Sequence, residues 1–313
     1  MKTILHRRNN MRFELPGLTA ATHTPFDATG ELNVDAIEKQ AEFLLNRGVK
    51  NVFIAGSTGE SHSMTLVERT ALAGRWCEVV RGTEMKVVVH VGDNCLKTAQ
   101  SLAAHAELVG ASAIATLAPS HFKPATLDDL VQWTLAIAER AIETPFYFYD
   151  IPGLTGVNFS MSAYLEKGLE RIPNLVGLKF TNPDLISFQR VRSSYDGRMD
   201  ILWGIDECLL AAVSLGATGA VGSSYNFASP LYLKILQAYQ AGDGETARRL
   251  QYRSVQLIDL LVRSGGYLPA AKATMEYLGV PVGPARLPYP KLSDATRSKL
   301  LQELEPFDLL ANN

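Results

Sequence analysis

Leu175-Val176-Gly177-Leu178-Lys179-Phe180 is an apolar run of strand length that carries one charged amine near its end. Burying an ammonium among aliphatic and aromatic side chains is costly, so a lysine at this place needs either water or a task. A lysine stripped of hydration holds its proton less tightly, and the neutral amine is a nucleophile able to form a Schiff base with a ketone. An exposed strand-end lysine of ordinary basicity is the plainer alternative, and it is the commoner one for such a residue taken alone. The company at other strand ends favours the reactive amine: Gly56-Ser57-Thr58-Gly59-Glu60, Tyr149 closing Phe146-Tyr147-Phe148-Tyr149, and Gly204-Ile205-Asp206-Glu207.

Working outward, the same pattern recurs eight times from Gly17: a short run rich in β-branched or aromatic residues, a turn, then a longer segment of helical period. The strands are expected at Leu18 to Thr22, Asn51 to Ala55, Lys86 to Val91, Ala113 to Leu117, Pro145 to Tyr149, Leu175 to Phe180, Asp200 to Trp203 and Ala217 to Val221. Helices are expected between them, from Val34 to Arg47 through to Pro230 to Gln240. Gly48 closes the first, and Thr65 with Glu68 and Thr126 with Asp129 have capping-box spacing. Strands alternating with helices pair in parallel, and eight such units in roughly 220 residues suit a (β/α)8 TIM barrel. A doubly wound sheet would want a phosphate-binding glycine fingerprint after an early strand, and no G-x-G-x-x-G or G-x-x-x-x-G-K-[ST] follows one.

Beyond Gln240 strand patterning stops, and helical segments at Glu245 to Val262, Leu268 to Leu278 and Ser293 to Leu304 read as a C-terminal helical extension packed on the barrel. The organisation is therefore a tail over residues 1–14, expected to be disordered, a catalytic barrel over 15–240 and the extension over 241–313. With 313 residues, 47% hydrophobic and 20% charged, the chain can bury a large core. A net charge of −2 with dispersed basic residues provides no nucleic-acid stripe, and no apolar stretch approaches bilayer-spanning length. Cys77, Cys95 and Cys208 lie far apart and lack metal-ligand spacing, which points to a reducing cytoplasm. His23, His62, His90, His105 and His121 lack H-x-H or H-E-x-x-H spacing, so no metal site is expected and amine chemistry is favoured over metal chemistry.

In a barrel of this kind, residues at strand C-terminal ends converge on one face. Ser57 and Thr58 bring hydroxyls beside the N–H groups of a glycine-flanked turn, which suits a carboxylate as well as it suits a plain turn. Tyr149 is either a core tyrosine or a phenol that exchanges a proton with a substrate hydroxyl near a cationic nitrogen. Asp206 and Glu207 begin a helix, where the dipole alone would explain them, and their position also suits a polyol. Ser223 and Ser224 allow the same two readings. His62 could reach the mouth of the site, although a solvated loop histidine is the default.

These residues assembled, the chain resembles the pyruvate-dependent class I aldolases typified by dihydrodipicolinate synthase and N-acetylneuraminate lyase, with the lyase branch the closer likeness. The resemblance runs from about Gly17 past Pro288. It rests on Gly56-Ser57-Thr58-Gly59-Glu60, the stretch Tyr149 to Val157, Gly177-Leu178-Lys179-Phe180-Thr181, Gly204-Ile205-Asp206-Glu207 and the stretch Gly216 to Asn226. It implies that Lys179 forms a Schiff base with the keto acid, with no separate cofactor, that Tyr149 moves the proton of the hydroxyl at the cleaved bond, and that Ser57 and Thr58 hold the carboxylate. Thr181, Gly204, Asp206, Glu207 and Ser223 would then line the pocket for a polyhydroxy chain. The implied activity is reversible cleavage of N-acetylneuraminate to N-acetylmannosamine and pyruvate by a homotetramer. The alternatives are an aldolase or dehydratase of another 2-keto-3-deoxy sugar acid, or a catalytically silent keto-acid binding protein.

Three departures from the family's patterns bear on this, the first from the synthase branch and the other two from the lyase branch. The synthase motif carries, after the tyrosine, an arginine for a second carboxylate, and Gly153-Leu154-Thr155 offers no cation there. Asp150 stands where many relatives have asparagine or histidine, so its charge is expected to bear on substrate choice. Pro119-Ser120-His121-Phe122 lacks the tyrosine that some relatives lend to a neighbouring subunit, and His121 or ordered water is expected near that place.

Overall fold

A computed structural model describes residues 12–195 and 197–310. The expected tail therefore lies outside the described residues up to position 11, while Phe13 packs edge-on against Tyr147 with ring centroids 6.2 Å apart. Eight strands form a closed barrel in sequential order: β1 Gly17–Ala21, β2 Asn51–Ile54, β3 Lys86–His90, β4 Ala113–Leu117, β5 Phe146–Asp150, β6 Leu175–Phe180, β7 Asp200–Trp203 and β8 Gly219–Gly222. All neighbouring pairs are parallel, β1 with β8 included, so the sheet has no free edge.

The crossover helices are α1 Ala36–Asn46, α2 Leu66–Val79, α3 Leu96–Leu108, α4 Leu127–Ala138, α5 Pro152–Thr155, α6 Met161–Arg171, α7 Leu185–Tyr195, α8 Leu209–Ser214 and α9 Tyr225–Gln240. The extension consists of α10 Gly244–Arg263, α11 Tyr267–Tyr277 and α12 Asp294–Leu304. Both capping boxes form: the Thr65 and Thr126 hydroxyls accept from the N–H groups of Glu68 and Asp129, whose carboxylates accept in return. Helix α9 begins at Tyr225 rather than at Pro230. Ala228 breaks its helical dihedrals (φ −124°, ψ 19°), and Pro230 follows in the first turn beyond the break, where its missing N–H costs nothing. Among the described residues no helix is long and apolar enough to cross a membrane.

Strand alternation divides the core into two layers. Phe53, Val88, Tyr147, Tyr149 and Leu202 fill the barrel interior. Val52, Ile54, Val87, Val89, Phe146 and Phe148 face outward into the helices. At the barrel floor the Asp200 carboxylate accepts hydrogen bonds from the Tyr147 hydroxyl at 2.6 Å and the Leu15 N–H at 3.0 Å.

Strand β6 breaks the alternation, and the break decides where the lysine points. Phe146 pairs with Leu175, but the next residue, Tyr147, pairs with Gly177, so Val176 is an extra residue on β6. Leu175 faces the helices and Val176 the interior; beyond the irregularity Leu178 and Phe180 face the helices. A strict period of two from Leu175 would have sent Lys179 outward, and the bulge turns it inward. Only glycine fits at the bulge: a Cβ on Gly177 would lie 1.9 Å from the Asp200 carbonyl oxygen and 2.8 Å from Tyr147 Cε1.

Candidate active site

The nine residues singled out in the sequence line one cavity of about 430 Å3 at the C-terminal ends of the strands. Lys179 and Tyr149 come from β6 and β5, Ser57 and Thr58 from the loop after β2, and Thr181 from the loop after β6. Gly204, Asp206 and Glu207 follow β7, and Ser223 follows β8. A flanking cavity of about 440 Å3, bounded by Phe26, Pro269 and Pro290, contains none of them.

Lys179 is 4% exposed, and its Nζ lies 3.9 Å from the centroid of the Tyr149 ring and 4.2 Å from that of Phe53. Among the described residues no carboxylate forms an ion pair with it. Its neighbours are aromatic faces, which hold the nitrogen in place and shed water from it. Tyr149 is wedged edge-to-face between Phe53 and His90, with centroids 5.6 and 6.0 Å away. His90, on β3, is fully buried, and its Nδ1 lies 3.0 Å from the Ala55 carbonyl oxygen. Burial, reinforced by the Arg69 guanidinium, drives its imidazole well below the usual range, so it remains neutral.

The Ser57-Thr58 loop is a tight backbone turn. Ala55 and Glu60 adopt left-handed conformations (φ 53° and 55°), uncommon for residues with a side chain. A Cβ on Gly59 would crowd the Ala55 backbone at 3.0 Å. The loop after β7 makes its part of the cavity lining acidic. Asp206 is 5% exposed and accepts from both the N–H and the hydroxyl of Ser224, the former at 2.8 Å. Burial lifts its carboxyl to about 6, the Ser224 hydroxyl works against that lift and the neighbouring Glu207 charge adds to it. The Thr181 hydroxyl is buried without a hydrogen-bond partner among the described residues and fills the space where Gly204 has no side chain: a Cβ there would sit 1.9 Å from Thr181 Oγ1.

The extension contributes walls that the sequence did not single out. Ile258 and Val262 of α10, Tyr267 and Leu268 of α11, and Tyr289 line the cavity, and the Tyr267 hydroxyl shares a 2.6 Å hydrogen bond with Ser223 Oγ. Nothing in local sequence marks Tyr267, since its place depends on how the extension folds back over the barrel mouth.

Two further residues weighed in the sequence stand apart from this chain's cavity. Asp150 does not line the cavity: it continues the outward row of Phe146 and Phe148, and its carboxylate accepts from the Asn182 amide at 3.4 Å. Its charge is thus directed away from a bound substrate. His121 is exposed beside Phe122 on the loop after β4 and is not part of this chain's cavity. His62 lines an adjoining groove with Ser57, Glu60 and Tyr289 rather than the cavity itself.

A closed (β/α)8 barrel with a buried amine, a phenol and a hydroxyl-bearing loop at its C-terminal mouth has the architecture of a lysine-dependent carbon–carbon lyase. The chain belongs to the dihydrodipicolinate synthetase family, whose model matches residues 14–306. It is 37% identical over 302 residues to mouse N-acetylneuraminate lyase, covering 96% of this chain and 94% of that protein. Among solved structures, the N-acetylneuraminate lyase of Proteus mirabilis superposes with a TM-score of 0.92 at 34% identity, covering 95% of this chain and all (100%) of that one. The sialic acid aldolase of Aliivibrio salmonicida gives a TM-score of 0.92 at 35% identity, with 96% and 99% coverage.

Proposed function

We propose that this protein is a Schiff-base aldolase that reversibly cleaves N-acetylneuraminate to N-acetylmannosamine and pyruvate. The observation that carries the reading is the charge layout of the cavity: one amine, Lys179, among aromatic faces, and two carboxylates, Asp206 and Glu207, on the loop after β7. A dicarboxylic substrate would bring its second carboxylate against those acidic groups, with no arginine among the described lining residues to receive it. A polyhydroxy chain meets hydrogen-bond acceptors at Asp206 and Glu207 and hydroxyls at Thr181 and Ser223.

The chemistry follows from the placement. Ser57 and Thr58 receive the keto-acid carboxylate and so bring its ketone to Lys179. The Lys179 nitrogen adds to that ketone and water departs, leaving an iminium. Tyr149, having passed its own proton to water and acting as a phenolate beside the iminium charge, takes the proton of the hydroxyl on the carbon beyond the adjacent methylene. The bond between methylene and hydroxyl-bearing carbon breaks, an aldehyde forms, and the electron pair flows into the iminium to give an enamine. Protonation of the enamine carbon and hydrolysis release pyruvate and the free amine. No cofactor enters the sequence of steps. The same reading makes the enzyme a homotetramer of the cytoplasm that meets neither nucleic acid nor membrane.

Pyruvate release across a panel of 2-keto-3-deoxy sugar acids tests the assignment. N-acetylneuraminate should show the highest kcat/KM. Preference for a shorter acid lacking the acetamido group would move the protein to another aldolase, and turnover of none would leave a binding protein.

A further inference from the structure

A buried lysine that the proposed chemistry does not use lies behind the Ser57-Thr58 loop. Lys272, on α11, is 1% exposed and spends all three ammonium protons on the Glu60 carboxylate at 2.8 Å and the carbonyl oxygens of Thr24 and Pro284, both at 2.9 Å. The Glu60 side chain is also 1% exposed, and its other oxygen accepts from the Arg286 N–H at 2.8 Å. Thr24, whose carbonyl Lys272 holds, donates its hydroxyl to the Gly59 carbonyl at 2.6 Å. The loop is tied at its start as well, where His90 meets Ala55.

Two physical points separate this arrangement from an ordinary core ion pair. Glu60 sits in the left-handed region, a backbone state that persists only where its surroundings enforce it, and the Lys272 and Arg286 contacts are what engage its side chain. A bare carboxylate two residues beyond Thr58 would also oppose an anion arriving at that loop, and the ammonium of Lys272 cancels it at contact distance. A well-packed apolar pair would serve stability as well as a buried ion pair does, whereas it could not orient the turn in this way.

We infer that Lys272 is a positioning residue for the keto-acid carboxylate: through Glu60 and Thr24 it holds the Ser57-Thr58 turn in its anion-receiving shape. The C-terminal extension thereby tunes pyruvate affinity from behind the barrel loop. The inference rests on the aldolase reading of the cavity, and its consequence is confined to the carboxylate end.

The test uses the condensation direction, where the two substrates occupy opposite ends of the site. Apparent KM values for pyruvate and for N-acetylmannosamine are measured for the wild type, Lys272→Met, the double variant Glu60→Gln/Lys272→Met, which leaves no unpaired buried charge, and Thr24→Val. Circular dichroism and thermal unfolding establish that each is folded. The clamp predicts a pyruvate KM raised about tenfold or more in both lysine variants and about threefold in Thr24→Val, with the N-acetylmannosamine KM little changed. Unchanged pyruvate KM in a folded lysine variant, or equal rises for both substrates, overturns it. Should neither lysine variant fold, Thr24→Val decides alone, and an unchanged pyruvate KM there overturns the clamp. A wild type that forms no borohydride-trapped pyruvate adduct would remove the aldolase reading and the clamp with it, whereas an adduct with unaltered affinity in the variants counts against the clamp only.

Discussion

Tyr149 and Lys179 are direct cross-strand partners on β5 and β6, and the lysine nitrogen rests 3.9 Å from the centre of the tyrosine ring. Amine and phenol are thus placed by the sheet itself rather than by loops. Their meeting inside the barrel depends on the extra residue at Val176, without which the alternation from Leu175 would send the lysine out to the helices.

Gly177→Ala should therefore damage the site from a distance. The added methyl would sit 1.9 Å from the Asp200 carbonyl oxygen, so the β6 bulge must shift. We expect a loss of about 3 kcal/mol in unfolding free energy, read by urea denaturation. Pyruvate trapping on Lys179 should fall in the fraction that remains folded, and full trapping in that fraction would show that the bulge does not set the lysine's direction.

Removing the phenol alone separates binding from bond cleavage. Tyr149→Phe keeps the ring between Phe53 and His90 and should still form the pyruvate adduct, while kcat for cleavage drops by roughly 10²- to 10⁴-fold. A variant that cleaves at the wild-type rate would assign the proton transfer to another group.

The Thr181–Gly204 contact offers a lesion at the sugar end. A Cβ on Gly204 would press on Thr181 Oγ1 and displace it from the cavity. Gly204→Ala should raise the KM for N-acetylneuraminate and N-acetylmannosamine by about tenfold or more, the scale of one lost well-placed hydrogen bond with some misfit. Half-saturation of pyruvate trapping should not move. Equal losses at both ends would mean general disorder of the site.

Asp150 predicts a pH effect on stability alone. Burial raises its carboxyl from 3.8 to about 6, with the Asn182 hydrogen bond only partly opposing. A carboxyl that binds its proton more tightly when folded contributes fully below its unfolded value and loses that contribution as pH rises through about 6. Asp150→Asn should then match the wild type near pH 4 and exceed it by about 2 kcal/mol near pH 7.5. Because the side chain lies outside the cavity, kcat/KM should be little altered, and a changed sugar-acid preference would restore a role for its charge.

Much of this was legible along the chain because each strand is short, apolar and bounded by turn residues, as Asn51–Ile54 and Leu175–Phe180 illustrate. The strand-end residues could be gathered into one site before any coordinates, since a barrel sends all such ends to a single face. What stayed hidden depends on long-range packing. Period-two reading cannot foresee the bulge at Val176, although on β5 the same alternation that turns Tyr149 inward already sets Asp150 in the outward row of Phe146 and Phe148. The Glu60–Lys272 pair spans 212 positions, and Tyr267 reaches Ser223 across 44, so neither leaves a local signature. Pro230 misled in a definite way: it marks a favourable helix start, yet the helix begins at Tyr225 and bends at Ala228.

The most direct test of the account is borohydride reduction in the presence of pyruvate, followed by peptide mapping by mass spectrometry. The account predicts a single reduced adduct on the peptide carrying Lys179, absent from a folded Lys179→Met variant. An adduct on any other lysine, Lys272 included, or none at all on the wild type, would contradict it.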